Sequence, residues 1–188
     1  MIWNDSGFLL SKIKYNENSI IAEFYTKTHG KCSGIIFGAT SKKIKNYLEI
    51  GNKFHIQYAH KNDGKVGYFK IEILDALTPL YFDNKQKLLC LSSALYLVKL
   101  LTVEFQENSK IFSLIDNFFE MLNDKQWLKL YIFWELELFK LIGYDLEINK
   151  IANKEIINNE IFYYVKGGNA TKNLPAFLIG RSKNDIVT

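Results

Sequence analysis

Two hydrophobic periods divide this chain, and they meet at Pro79. Before it, apolar residues tend to recur at every second position; after it, at every third or fourth. A period of two belongs to a strand with one buried face, and a period near 3.6 to an amphipathic helix. The chain therefore reads as α+β. Residues 1–80 form a small β module, and residues 81–188 a helical region with a short irregular or strand insertion near 150–170.

Five runs make up the β module. Gly7 to Tyr15 offers Phe8, Leu10 and Ile13 to a core and Ser11, Lys12 and Lys14 to solvent. Ser19 to Thr26 and Lys31 to Gly38 follow, broken at His29-Gly30. Lys53 to His60 sets Phe54, Ile56 and Tyr58 against His55, Gln57 and Ala59. Val66 to Leu74 sets Phe69, Ile71 and Ile73 against Tyr68, Lys70 and Glu72, after a hairpin signal at Asn62-Asp63-Gly64. Five short strands with a longer connection between the third and fourth (39–52) fit a Greek-key barrel such as the OB-fold. An SH3-like barrel has the same strand count and stays open as a rival.

The helical part begins with Lys85 to Phe105, where Leu88, Leu91, Leu95, Val98 and Leu101 form one stripe. Ser109 is placed to cap a second helix through Ile111, Leu114, Ile115, Phe118, Phe119 and Leu122. Asp124 is placed to cap a third, which Gly143 ends. Short connections between three helices predict an antiparallel arrangement. Phe162 to Val165 reads as a short strand before Gly167-Gly168, and Leu174 to Leu178 as a further apolar element.

Charge is unevenly spread. Residues 1–80 hold eleven Lys against seven Asp and Glu, whereas residues 81–188 balance at thirteen of each sign. A basic β module suits a polyanion such as a phosphate backbone. The candidate contacts are Lys12 and Lys14 on the first strand, Lys31 opening the third, and Lys42, Lys43 and Lys45 in the long connection. Lysine ammoniums hold phosphates without reading base sequence. Phe37 and Tyr25 offer faces on which bases can stack.

Catalytic chemistry is hard to assemble from what remains. His29, His55 and His60 lack metal-binding spacing, and Cys32 and Cys90 stand far apart with no Cys-x-x-Cys pair. No phosphate-binding glycine loop or nucleophile elbow is present. Glu135 and Glu137, two apart on a helix, lie on different faces and cannot share a proton. We read no enzyme, no cofactor and no metal. The opening residues lack a signal peptide's basic and apolar regions, and charges interrupt every apolar run, so a cytoplasmic protein without a membrane span is expected.

Several segments, in order, resemble the RecO family of bacterial recombination and DNA-repair proteins. They are Trp3 to Leu10, Tyr15 to Ser19, Phe24 to Lys31, Gly34 to Lys45 with Leu48 and Gly51, Tyr131 to Leu138 continuing through Leu141-Ile142-Gly143-Tyr144, and Leu174-Pro175-Ala176-Phe177-Leu178. The resemblance implies an N-terminal OB-fold and a helical domain. It implies binding of single- and double-stranded DNA, annealing of complementary strands, and help in loading RecA onto DNA coated by single-strand-binding protein. Implied partners are RecR and the acidic, apolar tail of single-strand-binding protein, for which Lys129 and Lys140 are candidate contacts. Lys31, Lys42, Lys43 and Lys45 fall where the family is basic. Some relatives carry a cysteine cluster for zinc just after the Leu-Gly-Tyr helix; here Ile151 stands at its first position, so zinc is not expected. Relatives also continue past Leu-Pro-x-Phe-Leu, so with Thr188 last the expectation is that a final packing layer is missing. The rival reading is a non-enzymatic protein-interaction module with an SH3-like barrel and no DNA binding.

Overall fold

The computed structural model describes residues 2–60, 66–144, 152–157 and 160–165. Up to Gly143 the chain builds one compact unit, and Tyr144 begins a second. The described part of the second is an antiparallel pair, β6 (Ala152–Ile157) and β7 (Glu160–Val165), the latter where a strand is read from the sequence. The Asn62-Asp63-Gly64 turn, Ile151, Gly167-Gly168 and the segment from Leu174 to Leu178 lie outside the described residues.

The first unit opens with a closed barrel of β1 (Ile2–Lys14), β2 (Ser19–Thr26), β3 (Gly30–Phe37), β4 (Lys53–Ala59) and β5 (Gly67–Asp75). Its strand order is β1-β2-β3-β5-β4, closing on β1, with β3 and β5 parallel. A short helix, α1 (Lys42–Lys45), fills the connection from β3 to β4. This is a five-stranded Greek-key barrel of the kind an OB-fold uses.

The first strand begins at Ile2, five residues before the sequence pattern shows it. Its first half pairs with β4 (Ile2 opposite Ala59) and its second with β2 (Lys14 opposite Ile20), with a register shift between Leu9 and Ser11. A bulge bends a strand so that it can serve two neighbours and close a barrel. The bulge also resets the alternation, and Ile13, expected in the core, is 59% exposed.

Bulge and alternation together divide β1 between two cores. Leu9 joins Phe24, Ile36, Phe54, Ile56, Tyr58 and Phe69 inside the barrel. Phe8 and Leu10 face outward and meet the helices. Those helices are α2 (Lys85–Leu101), α3 (Ser109–Met121) and α4 (Trp127–Leu141), and they enclose Leu91, Leu95, Ile115, Phe118, Trp134 and Leu138 in the same outer core. Trp134 Nε1 donates to the Leu114 carbonyl at 2.7 Å, satisfying the polar tip of a buried ring.

Helix ends follow capping chemistry, shifted from the expected residues. Asn108, not Ser109, caps α3, accepting from the N–H groups of Lys110 and Ile111 at 3.1 and 3.3 Å. Asp124 accepts from Gln126 N–H at 2.6 Å and so braces the turn before α4, whose own cap position is Gln126. Gly143 ends α4 with φ +92°, a left-handed conformation that glycine adopts without a side-chain clash.

Helix α2 stops at Leu101, four residues short of the expected Phe105. The chain leaves it to lie beside β3: Phe105 N–H donates to the Lys31 carbonyl at 2.8 Å, and Glu104 bridges Lys31 in parallel. Gly30 makes room for this strap. A Cβ there would stand 2.0 Å from the Gln106 carbonyl oxygen, and its φ is +67°.

Candidate nucleic-acid interface

The strap and α2 decide which lysines are available. Lys31 Nζ donates to the Lys99 carbonyl at 2.7 Å. Lys99 Nζ lies 2.5 Å from Glu23 Oε2 and 3.1 Å from Ser11 Oγ, while Ser33 Oγ donates to Glu104. Burial pushes the Glu23 carboxyl upward, but the Lys99 and Ser11 hydrogen bonds and the charges of Lys99 and Lys31 outweigh it and hold the carboxyl below its ordinary value. Expected to face a polyanion, Lys31 instead helps fasten the barrel to α2.

Lys12 is also partly engaged. Its ammonium donates to the Leu48 carbonyl and lies 3.2 Å from Glu49, fastening β1 to the end of the α1 connection. Lys53, at the start of β4, sits over the rings of Phe8 and Phe112 at 5.2 and 5.6 Å and pairs with Asp116 at 2.8 Å. A cation held over two rings and beside a carboxylate is a structural joint between barrel and α3.

Lys14, Lys42 and Lys45 are different. All three are exposed, and no carboxylate lies within ion-pair distance of them among the described residues. They gather at one end of the barrel, since Lys14 ends β1, α1 follows β3, and the backbone of Ala39 donates to Asn18 in the β1–β2 turn at 3.1 Å. Lys43 is the second residue of α1, and its side chain is outside the described set. Lys31 belongs to the other end of β3, opposite Tyr25. The expected contact residues whose side chains are described therefore do not form one surface, Lys31 standing apart from Lys14, Lys42 and Lys45.

Phe37 stands at this same rim, 61% exposed, its ring centroid 6.3 Å from that of Tyr68. Tyr25 does not offer a face. It is fully buried against the helices, its hydroxyl donating to the Asn108 carbonyl at 3.3 Å, and burial pushes its phenol well above the ordinary range. Sequence alternation puts Tyr68 and Lys70 on the solvent side of β5. Only the parallel pairing of β3 with β5, invisible in the sequence, sets Tyr68 opposite Ile35 and so beside Phe37.

At the far end of the barrel, Trp3, Asp5, Thr28 and His29 lock together. The Trp3 and His29 rings stack with centroids 4.0 Å apart. Asp5 Oδ2 accepts from the Thr28 N–H and hydroxyl, each at 2.8 Å, and lies 3.1 Å from His29 Nδ1. Burial raises the Asp5 carboxyl, yet these bonds and one from Ser6 N–H bring it below its ordinary value. The Asp5 contacts to Thr28 and His29 tie the β2–β3 turn to β1. Cys32, under that turn, is buried with its thiol pushed up to about 12, which makes it unreactive. No cluster among the described residues has the ligands to hold a metal ion.

On α4, Lys129 and Lys140 are both exposed, and eleven residues apart they fall on one stripe roughly 16 Å long. Phe133, 48% exposed, and the half-buried Leu136 lie between them. Lys140 stands 3.7 Å from Glu137 and borders a shallow groove with Asn108, Lys110 and Leu141. Glu135 is buried and Glu137 exposed, as their spacing requires. No helix among the described residues is long and apolar enough to cross a membrane.

Comparison with known proteins assigns both parts of the chain. Residues 1–77 match the family described as Recombination protein O N terminal, and residues 84–183 match Recombination protein O C terminal. A protein of Rickettsia canadensis (strain McKiel) named DNA repair protein RecO is 31% identical over 166 residues, covering 88% of this chain and 68% of the relative. The protein of that name from Rhodospirillum centenum is 27% identical over 196 residues, covering 97% and 78%. That of Rickettsia africae is 29% identical over 181 residues, covering 96% and 74%.

Proposed function

This chain belongs to the RecO family, and from that premise we propose that it is a non-enzymatic mediator of recombinational DNA repair. It binds single- and double-stranded DNA, anneals complementary strands, and assists RecA loading onto DNA coated by single-strand-binding protein. Its place of action is the bacterial cytoplasm, at the nucleoid. The observation that carries the reading is the barrel rim, where Lys14, Lys42 and Lys45 stand exposed, without acidic partners among the described residues, beside an exposed Phe37.

Annealing needs no catalytic side chain. Two strands repel through their phosphates, and a basic rim that lowers this repulsion lets base pairing do the rest. Counterion release supplies much of the affinity, so binding weakens steeply with salt and depends little on sequence. RecR as a partner rests on the family resemblance alone. For the acidic, apolar tail of single-strand-binding protein, the α4 stripe supports the reading: Phe133 and Leu136 supply apolar surface, and Lys129 and Lys140 supply charge at either end.

The decisive experiment measures annealing of two complementary oligonucleotides with and without the protein, in the absence of ATP and at two salt concentrations. Acceleration that fades at the higher salt is expected. No acceleration at either concentration removes the proposal. Calorimetry with the tail peptide, on the protein and on Lys129→Glu/Lys140→Glu, tests the second surface; an unchanged binding heat would exclude the stripe.

A further inference from the structure

Helices α2 and α3 meet water in opposite ways. The exposed positions of α3 are Ser109, Lys110, Ser113, Asp116, Asn117 and Glu120, an ordinary solvated face. Those of α2 and the residues just after it include Leu89, Ser92, Ser93, Tyr96, Leu100 and Val103, and between Lys85 and Glu104 no exposed residue carries a charge. Leu89 is 69% exposed, Tyr96 57%, Leu100 58% and Val103 65%. The helical members of this set fall within an arc of about 100°, and from Leu89 to Leu100 they run roughly 16 Å along the axis. The other side of α2 faces the core through Cys90, Leu91, Leu95 and Val98. This helix is therefore apolar on both sides, and a surface stripe of that kind marks a contact.

Charge and shape identify the occupant. Lys85 stands exposed at the start of the stripe, with no ion pair among the described residues, while Lys99 beside it is held by Glu23. One available ammonium is too few for a polyanion, an acidic peptide or an anionic membrane. The stripe does, however, complement itself. Turned end for end about a point between Ala94 and Leu95, it sets Leu89 against Leu100 and the small Ser93 against Tyr96. The same rotation brings Lys85 to the end where Glu104 is exposed. Apolar meets apolar, small meets large, and the basic end meets the acidic one.

We propose that the stripe from Leu89 to Val103 is a docking face for a second copy of this chain, the two α2 helices packing antiparallel about a twofold axis. An isologous contact of this kind uses one patch twice. A single helix from each copy is small for a stable interface, so the dimer forms reversibly, with a dissociation constant on the order of 10 μM. The inference stands apart from the DNA-binding reading of the barrel rim.

Sedimentation velocity on the whole chain, from about 1 to 200 μM, should show a monomer passing into a dimer as concentration rises. Tyr96 lies outside both cores, so Tyr96→Glu should weaken the dimer roughly tenfold or more with an unchanged circular dichroism spectrum. A monomer at every concentration, or a dimer that Tyr96→Glu leaves intact, overturns the proposal. Cross-linking tests the direction of packing. Cys32 and Cys90 are buried, so Leu89→Cys and Leu100→Cys each add one exposed thiol. Mixed and oxidised, the two variants should join to each other, while neither joins to itself. Self-joining of each variant without joining between them would mean parallel helices, and no joining at all would mean no contact; either result overturns the proposal, whatever Tyr96→Glu does to folding.

Discussion

Where the barrel meets α2, Lys31 and Lys99 end on a backbone carbonyl and a carboxylate; at the rim, Lys14, Lys42 and Lys45 end exposed, with no such partner among the described residues. The two groups have the same side chain and lie on or against one barrel, yet they do different work. The first group neutralises internal charge and holds elements together. The second keeps its charge exposed, as the proposed DNA contact requires. Counting lysines therefore overstates what a basic module offers to a polyanion, because part of the excess is committed to the fold.

The largest effect that can break this contrast is on DNA affinity. Lys42→Glu with Lys45→Glu should lower it roughly tenfold to a hundredfold and reduce the salt slope of duplex binding by about two, with melting temperature unchanged. A lost fold would place these lysines in the first group. Next is Lys53→Met, which keeps the stem but removes the charge over Phe8 and Phe112. It should cost about 1–2 kcal/mol in denaturant unfolding. Lys31→Ala should cost about 1 kcal/mol and leave DNA affinity within twofold; a large loss of affinity would move Lys31 to the second group.

The smallest effect is a pH dependence. The folded Glu23 carboxyl lies below its unfolded value of about 4.5, so its contribution is complete above that pH and is lost as pH falls through the folded value. Glu23→Gln should flatten the fall in stability below about pH 4.5, measured by thermal melts from pH 3 to 6. An unchanged acid limb would mean that Lys99 and Lys31 do not rely on this carboxylate.

The sequence made the two periods legible, and with them the five strands, the three helices and the α+β layout. Of the helix ends, Gly143 reads correctly because its cap is short-range chemistry, whereas the cap positions expected at Ser109 and Asp124 belong to Asn108 and Gln126. What stayed hidden depends on contacts distant in sequence. The bulge after Leu9 moved Ile13 to the surface. The strap at Lys31 ended α2 early. The partners of Lys12 and Lys53 are 37 and 63 residues away, at Glu49 and Asp116. Likewise, Tyr68 comes beside Phe37 only through the register of β3 with β5. Tyr25 was misread because its strand has two buried faces, one toward the barrel axis and one toward the helices.

Phe8, Leu10 and Tyr25 belong to strands by sequence and to the helical core by packing. A fragment ending at Pro79 would present those three side chains to water as a greasy wall, and it would be expected to clump in preparation. The barrel, for which DNA contact is proposed, is thus not a detachable cassette. Whoever wishes to transplant it onto another scaffold must bring the helices through Gly143 as well, or repaint that wall with polar residues.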